Sequence, residues 1–255
     1  MKNIVFVATY IGNEEDIHNF IIDNNKFDDC DYYLITNIDS SKIKNNFWDI
    51  INIDLNDDVF KCLNKVNISR YFKFNIFRTL DKFIKKNYNY YVYCDSQYIP
   101  KNINELKNII YRTKDSNYGM VQYMHPYNNI TLREEMELIV KCSKDTRENM
   151  NKTKKYLFEL CGCETNFTRI YNTPKYRENS IIMYDLNNSN LKEFLNDFYD
   201  IYYIRCPTYR DQPIWNFLLL LNNIDVITYD KKDIVNNFHI LKRNFYNLID
   251  YNKKI

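Results

Sequence analysis

Asp95 ends an uncharged run, Tyr88 to Cys94 (YNYYVYC), and is followed at once by Ser96 and then by Pro100. A carboxylate there can hold a divalent cation against phosphate oxygens, because hard cations take oxygen ligands and often need only one or two carboxylates besides the substrate. An Asp in this position equally forms an Asx turn with the backbone that follows. Arg70 and Lys73 stand one helical turn apart, so on a helix they share a face and can reach one phosphate group; the same spacing describes a solvated positive edge. Arg210-Asp211-Gln212 precedes Pro213 and the apolar run Ile214 to Leu221. Three hydrogen-bonding side chains therefore open a buried helix, as a substrate-facing triplet or as an ordinary N-cap and Arg–Asp surface pair. His125, at a strand end before Pro126, is a substrate contact or a hydrogen-bonded structural residue. His239, between Phe238 and Ile240, is a core residue or a metal ligand. Glu134 is a second candidate carboxylate, with compensation of a helix dipole as its alternative role.

These residues need elements to hold them. Strands are expected at Ile4–Tyr10, Tyr32–Thr36, Trp48–Asp54, Tyr88–Asp95, Tyr118–Met124, Asn179–Leu186 and Asp225–Tyr229. Helices are expected at Glu14–Asn24, Cys62–Lys86, Ile103–Thr113, Thr131–Cys142, Leu191–Tyr203 and Pro213–Leu221. Ser143 to Lys155 is an exposed helix or a loop, and Asn236 to Arg243 a terminal segment carrying His239. Strands that are apolar without alternation are covered on both faces, which predicts an α/β architecture with a parallel-type sheet. In such sheets ligands bind beyond the carboxyl ends of the strands, where Asp95 stands.

At 255 residues the chain suits one α/β domain, and no linker or internal repeat divides it. With three glycines it has neither GxGxxG nor GxxxxGK[ST], so a glycine-rich phosphate loop is excluded. GxSxG and HExxH are also absent. A net charge of +2 gives no support to nucleic acid as a partner. Seven scattered cysteines read as reduced thiols. The N-terminus reads as a first strand and not as a signal peptide, and no apolar run is long enough for a membrane span. The expected location is cytoplasmic; the oligomeric state is not legible.

Five short segments in order, YYLITN at Tyr32–Asn37, RYFK at Arg70–Lys73, YYVYCDS at Tyr90–Ser96, MHP at Met124–Pro126 with Glu134 downstream, and RDQ at Arg210–Gln212, resemble a glycosyltransferase-like family known from plant mucilage-related proteins, formerly a domain of unknown function. The resemblance runs from about Asp31 to Asn223. It implies a GT-A-like single domain over 1–255, a mixed and mainly parallel sheet flanked by helices with a Rossmann-like N-terminal half. A nucleotide-binding half would cover about 1–100 and an acceptor half about 101–255. It also implies transfer of a sugar from a nucleoside diphosphate sugar, a UDP-sugar above all, to a glycan or other hydroxyl acceptor, assisted by Mn2+ or Mg2+. Asp95 stands where such enzymes carry their metal aspartate, and the resemblance carries that role to Asp95 alone. Arg70 and Lys73 would contact the diphosphate, and Thr9 or Tyr10 the nucleobase. Asp211 or Glu134 would act as the catalytic carboxylate, with His125, Arg210 and Gln212 on the substrate. On this reading Asp211→Asn spares folding. The chain departs from the family at Val92-Tyr93-Cys94 before the aspartate, Ser96 after it, Asn128 and Pro213. A non-catalytic carbohydrate- or nucleotide-binding module and a sugar nucleotidyltransferase are the rival readings.

Overall fold

The computed structural model describes residues 2–22, 26–127 and 130–241. In chain order the strands and helices are β1 (Ile4–Tyr10), β2 (Cys30–Thr36), β3 (Asp49–Asn52), α1 (Lys65–Phe74), α2 (Ile76–Thr79), β4 (Tyr90–Asp95), β5 (Tyr98–Pro100), α3 (Ile103–Tyr111), β6 (Met120–Met124), α4 (Leu132–Lys141), α5 (Arg147–Cys161), α6 (Glu164–Tyr171), β7 (Arg177–Asp185), α7 (Ser189–Tyr199), α8 (Asp211–Leu221), β8 (Ile227–Tyr229), α9 (Lys232–Asn237) and β9 (Phe238–Ile240). Seven strands form one sheet in the order β3-β2-β1-β4-β7-β6-β8, and β7 alone runs against the rest. The expected α/β class with a mixed, mainly parallel sheet flanked by helices is the architecture found.

Burial on both faces explains the uninterrupted apolar strands. Val5 and Val7 of β1, with Tyr91 and Tyr93 of β4, enter one core, which also takes Trp215 and Phe217 of α8. Ile4, Phe6 and Ala8, with Tyr90, Val92 and Cys94, enter the other. No face is left for water, so no polar alternation survives in the sequence. Thr9 lies opposite Asp95 in the parallel register, which sets the carboxyl ends of β1 and β4 side by side.

Three expectations are corrected and one open alternative is decided. Glu14 to Asn24 is not a helix: a 3-10 turn covers Glu14–Asp16, and Asp23 and Asn24 lie outside the described residues. Phe20 is instead buried in extended chain, its N–H donating to the Lys44 carbonyl at 2.8 Å and its own carbonyl accepting from Asn46 N–H at 3.4 Å. Ile21 is left 58% exposed, so the apparent helical stripe is an accident of spacing. The helix expected over Cys62–Lys86 starts at the Asn64 cap and breaks at Asn75, then ends in a π-helical turn, Leu80–Ile84. Residues 143–155 are a loop only as far as Thr146, which caps α5, and that helix buries Met150 and Leu157. Finally, Tyr98–Pro100 does not merely close the Asp95 run but pairs antiparallel with Phe238–Ile240. Lys242 and Arg243 of the expected terminal segment lie outside the described residues.

Candidate active site

Asp211, Lys73, Arg70 and Asp95 meet at the carboxyl edge of the sheet. The Lys73 ammonium lies 3.4 Å from Asp211 Oδ2 and 3.5 Å from Asp95 Oδ1, so one cation joins the two carboxylates. Arg70 Nε donates to Asp211 Oδ1 at 3.3 Å, and Asn179 Nδ2 to Asp211 Oδ2 at 3.1 Å. Each donor is placed by its element. α1 buries Ile68, Tyr71, Phe72 and Phe74, which turns Arg70 and Lys73 together toward the start of α8. Lys73 is itself buried, with its ammonium 4.8 Å from the Tyr93 ring centroid. Such a site favours a cation only because two anions flank it.

Asp211 is the first residue of α8, while the N-cap position is filled by Arg210 without a side-chain capping bond. The triplet is therefore neither an Asp N-cap nor a surface pair. Burial alone would raise the Asp211 pKa, but Lys73, Arg70 and Arg210 hold the carboxyl well below the usual carboxylate range. Burial opposes the charge of Arg70 as well, and Asp211, Tyr202, Asp95 and Tyr93 together more than offset it. Arg210 Nε is buried without a hydrogen-bond partner, and Gln212 sits half-buried on the first turn of the helix.

Asp95 differs from Asp211 in being accessible, with its side chain 40% exposed. Tyr93 OH donates to Asp95 Oδ1 at 3.0 Å, and since a phenol has one proton, the Thr9 hydroxyl 2.9 Å away can bond Tyr93 only as the donor. The Ser69 carbonyl, 3.2 Å from Thr9 Oγ1, is that hydroxyl's alternative acceptor. Thr9 thus faces inward and steadies Asp95 through Tyr93; it is not free to read a nucleobase. Tyr10 at the tip of β1 donates to the Asn13 carbonyl at 2.8 Å and lies beside a loop that Asn37 braces with two bonds to the Gly12 backbone.

The remaining candidates lie elsewhere. Glu134 forms a capping box with Thr131, accepting from its N–H and its hydroxyl, each at 2.8 Å, and these bonds lower its pKa. It lines an open groove of about 1020 Å³ with Arg133, Lys141 and Arg147, away from the residues that surround Asp211. His239 pairs across to Ile99 in the two-stranded β5–β9 ribbon, and burial and Lys101 lower its pKa. Among the described residues no three His, Cys, Asp or Glu side chains come together to hold a metal, so His239 and Asp95 belong to no such cluster. Asp95, exposed and oriented by Tyr93, does suit a cation whose other ligands are water and phosphate oxygens.

Three contributors were missed. Tyr93 stands two residues before Asp95, and the period of a strand places both on one face. Asn179 is the third residue of β7, in a polar stretch, Arg177 to Ser180, that precedes the apolar part of the strand. Glu135 is the third: Leu132, Met136 and Ile139 mark the buried stripe of α4, and Glu135 falls on it while Glu134 does not. Glu135 Oε2 lies 3.4 Å from His125 Nε2, and burial raises its pKa. His125 Nδ1 accepts from the Tyr127 N–H at 3.3 Å, which assigns the neutral ring's proton to Nε2, facing Glu135.

Burial, with Lys231 nearby, depresses the His125 pKa to about 4. A base whose folded pKa is depressed contributes stability in full above its unfolded value. Thermal stability is therefore expected to decline as pH falls from about 6.5 toward 4, by about 3 kcal/mol from this residue. Glu135, with its raised pKa, works in the opposite direction at the acid end of that window. His125→Gln keeps a donor toward Glu135 and should flatten the decline; a variant as pH-sensitive as the parent would show that His125 is not its source.

No family model matches the chain, and no curated protein matches it. Among solved structures it is similar to the apo structure of the bifunctional glycosyltransferase WbbM, with a TM-score of 0.46 and 14% identity. The alignment covers 89% of this chain and 38% of that one. The chain thus spans well under half the length of that structure. The match concerns the course of the backbone; the side chains described above are a separate observation.

Proposed function

We propose that this chain is a glycosyltransferase, passing a sugar from a nucleoside diphosphate sugar, a UDP-sugar foremost, to a hydroxyl on a glycan or other acceptor. The observation that carries the reading is one buried ammonium shared by an exposed carboxylate at a strand end and a buried one at a helix start. The family resemblance read from the sequence points the same way. Glycosyl transfer leaves a diphosphate whose developing charge must be met by fixed positive groups. Arg70 and Lys73 are those groups, held in place before substrate arrives. Asp95 is the one carboxylate of the cluster exposed enough to hold Mn2+ or Mg2+, and a bound cation would add to the neutralisation of the diphosphate.

Asp211 has a different part from the one its sequence position suggested. An effective general base needs a pKa near the working pH, and this carboxylate is held far below it by donors that occupy both oxygens. Its role in this proposal is to fix the two cations. His125 and Arg210 flank the acceptor side, and Tyr10 is the nucleobase contact.

Asp95→Ala tests the cation. Its side chain is 40% exposed and Asp211 stays beside Lys73 in the variant, so the fold should be kept at some cost in stability. Titration with UDP by calorimetry should show manganese strengthening binding in the parent by roughly tenfold or more, and no such gain in the variant. Equal manganese dependence in both proteins would remove Asp95 from the metal role. If the chain is a binding module only, UDP-sugar will bind without hydrolysis or transfer to any acceptor.

A further inference from the structure

The start of β7 holds a charge that no part of the fold explains. Arg177 is 8% exposed, and its Nε and Nη1 are buried without a hydrogen-bond partner. Arginine cannot shed its proton to escape burial, so an uncompensated guanidinium inside a protein costs several kcal/mol. Among the described residues it has no ion-pair partner within 4.0 Å. The acid with which it interacts, Asp225, lies on an exposed stretch beyond that reach.

The fold nevertheless holds this residue firmly. Asn216 of α8, fully buried, clamps the Arg177 backbone from both sides: its Oδ1 accepts from Arg177 N–H at 2.8 Å, and its Nδ2 donates to the Arg177 carbonyl at 3.0 Å. Arg177 lines a cavity of about 280 Å³ together with His125, Lys175, Tyr176, Val226 and the acidic Asp225. Tyr176 brings a second buried polar atom without a partner, its hydroxyl. The enclosed guanidinium and an exposed lysine outnumber the single carboxylate of Asp225 on these walls, and with the aromatic and apolar surface they make a site for an anion attached to a small, partly apolar body. The volume is just under the roughly 300–1,000 Å³ of pockets that enclose whole drug-sized ligands, so it suits one sugar unit or less.

Position adds to the case. Because β7 runs against its neighbours, its first residues come to the edge where β4 and β6 end, and Arg177 pairs in register with Met124. The cavity therefore opens at the same edge as Asp95 and two residues along the strand from Asn179, which bonds Asp211.

We propose that the Arg177 cavity seats an acidic group, a carboxylate or a phosphate, carried by a sugar that serves as acceptor. That the anion is carried by a sugar, and that this sugar is the acceptor, rests on the glycosyltransferase reading; the anion site itself stands on the unpartnered guanidinium and the cavity. The planar fork of arginine pairs with either group through two parallel hydrogen bonds.

The test is a calorimetric titration of the parent, Arg177→Met and Arg177→Lys with glucuronate, galacturonate and glucose 6-phosphate, with glucose as the neutral control and UDP as a separate arm. At least one acidic sugar should bind the parent while glucose does not, and the uronate and phosphate arms tell the two anions apart. Arg177→Met should weaken that binding by roughly tenfold or more, and Arg177→Lys by less, with UDP binding unchanged in both. Without ligand, Arg177→Met should melt no lower than the parent, since it removes an unpaired buried charge. The proposal is overturned if no acidic sugar binds the parent, if glucose binds as well, if Arg177→Met binds undiminished, or if it melts markedly lower as a structural arginine would require. Should the acidic sugar bind while UDP does not, the donor reading fails and the anion site survives.

Discussion

Asp211→Asn is expected to lower stability by about 3–5 kcal/mol, the usual result of removing one member of a buried charge cluster. For a chain of this length that is a fall in melting temperature of roughly 10 °C or more. Asn has the right shape but the wrong polarity. Asp211 accepts on Oδ1 from Arg70 and on Oδ2 from Lys73 and Asn179, so an amide nitrogen in either position would meet a donor. Arg70 and Lys73 would also lose the anion that compensates them. This reverses the expectation, formed from the sequence, that the substitution spares folding. The acid limb offers a second check. A carboxylate whose folded pKa is depressed contributes stability above its unfolded value, about 4, and loses it as pH falls further. The gap between parent and variant should therefore be widest near neutrality and narrow below pH 4. A variant as stable as the parent at pH 7 would mean that Asp211 is not the anchor of the cluster.

Lys73→Met is expected to be comparably severe and to leave a different signature. The ammonium lies within 3.5 Å of both Asp95 and Asp211, and its side chain is 3% exposed. Without it, two carboxylates share the site with Arg70 and, less directly, Arg210 as their remaining cations. Like charges at short range cannot both stay ionised at low cost, so a proton is drawn in and an apparent pKa rises. A carboxyl with a raised folded pKa gains stability as pH falls, so the deficit of about 3–5 kcal/mol at pH 7 should shrink on acidification toward pH 5. UDP affinity should fall by at least tenfold, in line with the loss of a charge-assisted bond to phosphate. Equal affinity in the two proteins would return Lys73 to a purely structural role.

What could be read from the sequence was local. The Asp95 run, the Arg70–Lys73 spacing and the triplet before α8 are all periodic or contiguous signals, and all three meet at one edge of the sheet. That Lys73 binds both aspartates was not legible, because no short-range pattern records which strand end a helix start will face. The helix expected at Glu14–Asn24 failed for a related reason: pairing of Phe20 with the chain at 44–46 outweighed a weak apolar stripe. Glu135 was within reach, since it shares the buried stripe of α4 with Leu132 and Met136, whereas Glu134 offered only its place in the first turn. Arg177 carried no signal at all, because an arginine at a strand start looks the same whether it is solvated or enclosed.

The contacts between Asp211 and its two cations have one more consequence, for the order in which the molecule assembles. Asp211 lies 141 residues along the chain from Arg70 and 138 from Lys73. Closing so long a loop carries an entropic cost before the contact returns anything, so such pairings tend to form late in folding. Until α8 docks, Arg70 and Lys73 have no buried anion and must stay hydrated. The positions of Arg70 and Lys73 are therefore set only once α8 has docked, and a fragment such as residues 1–100 would carry Asp95 and Lys73 without the Asp211 carboxylate that joins them.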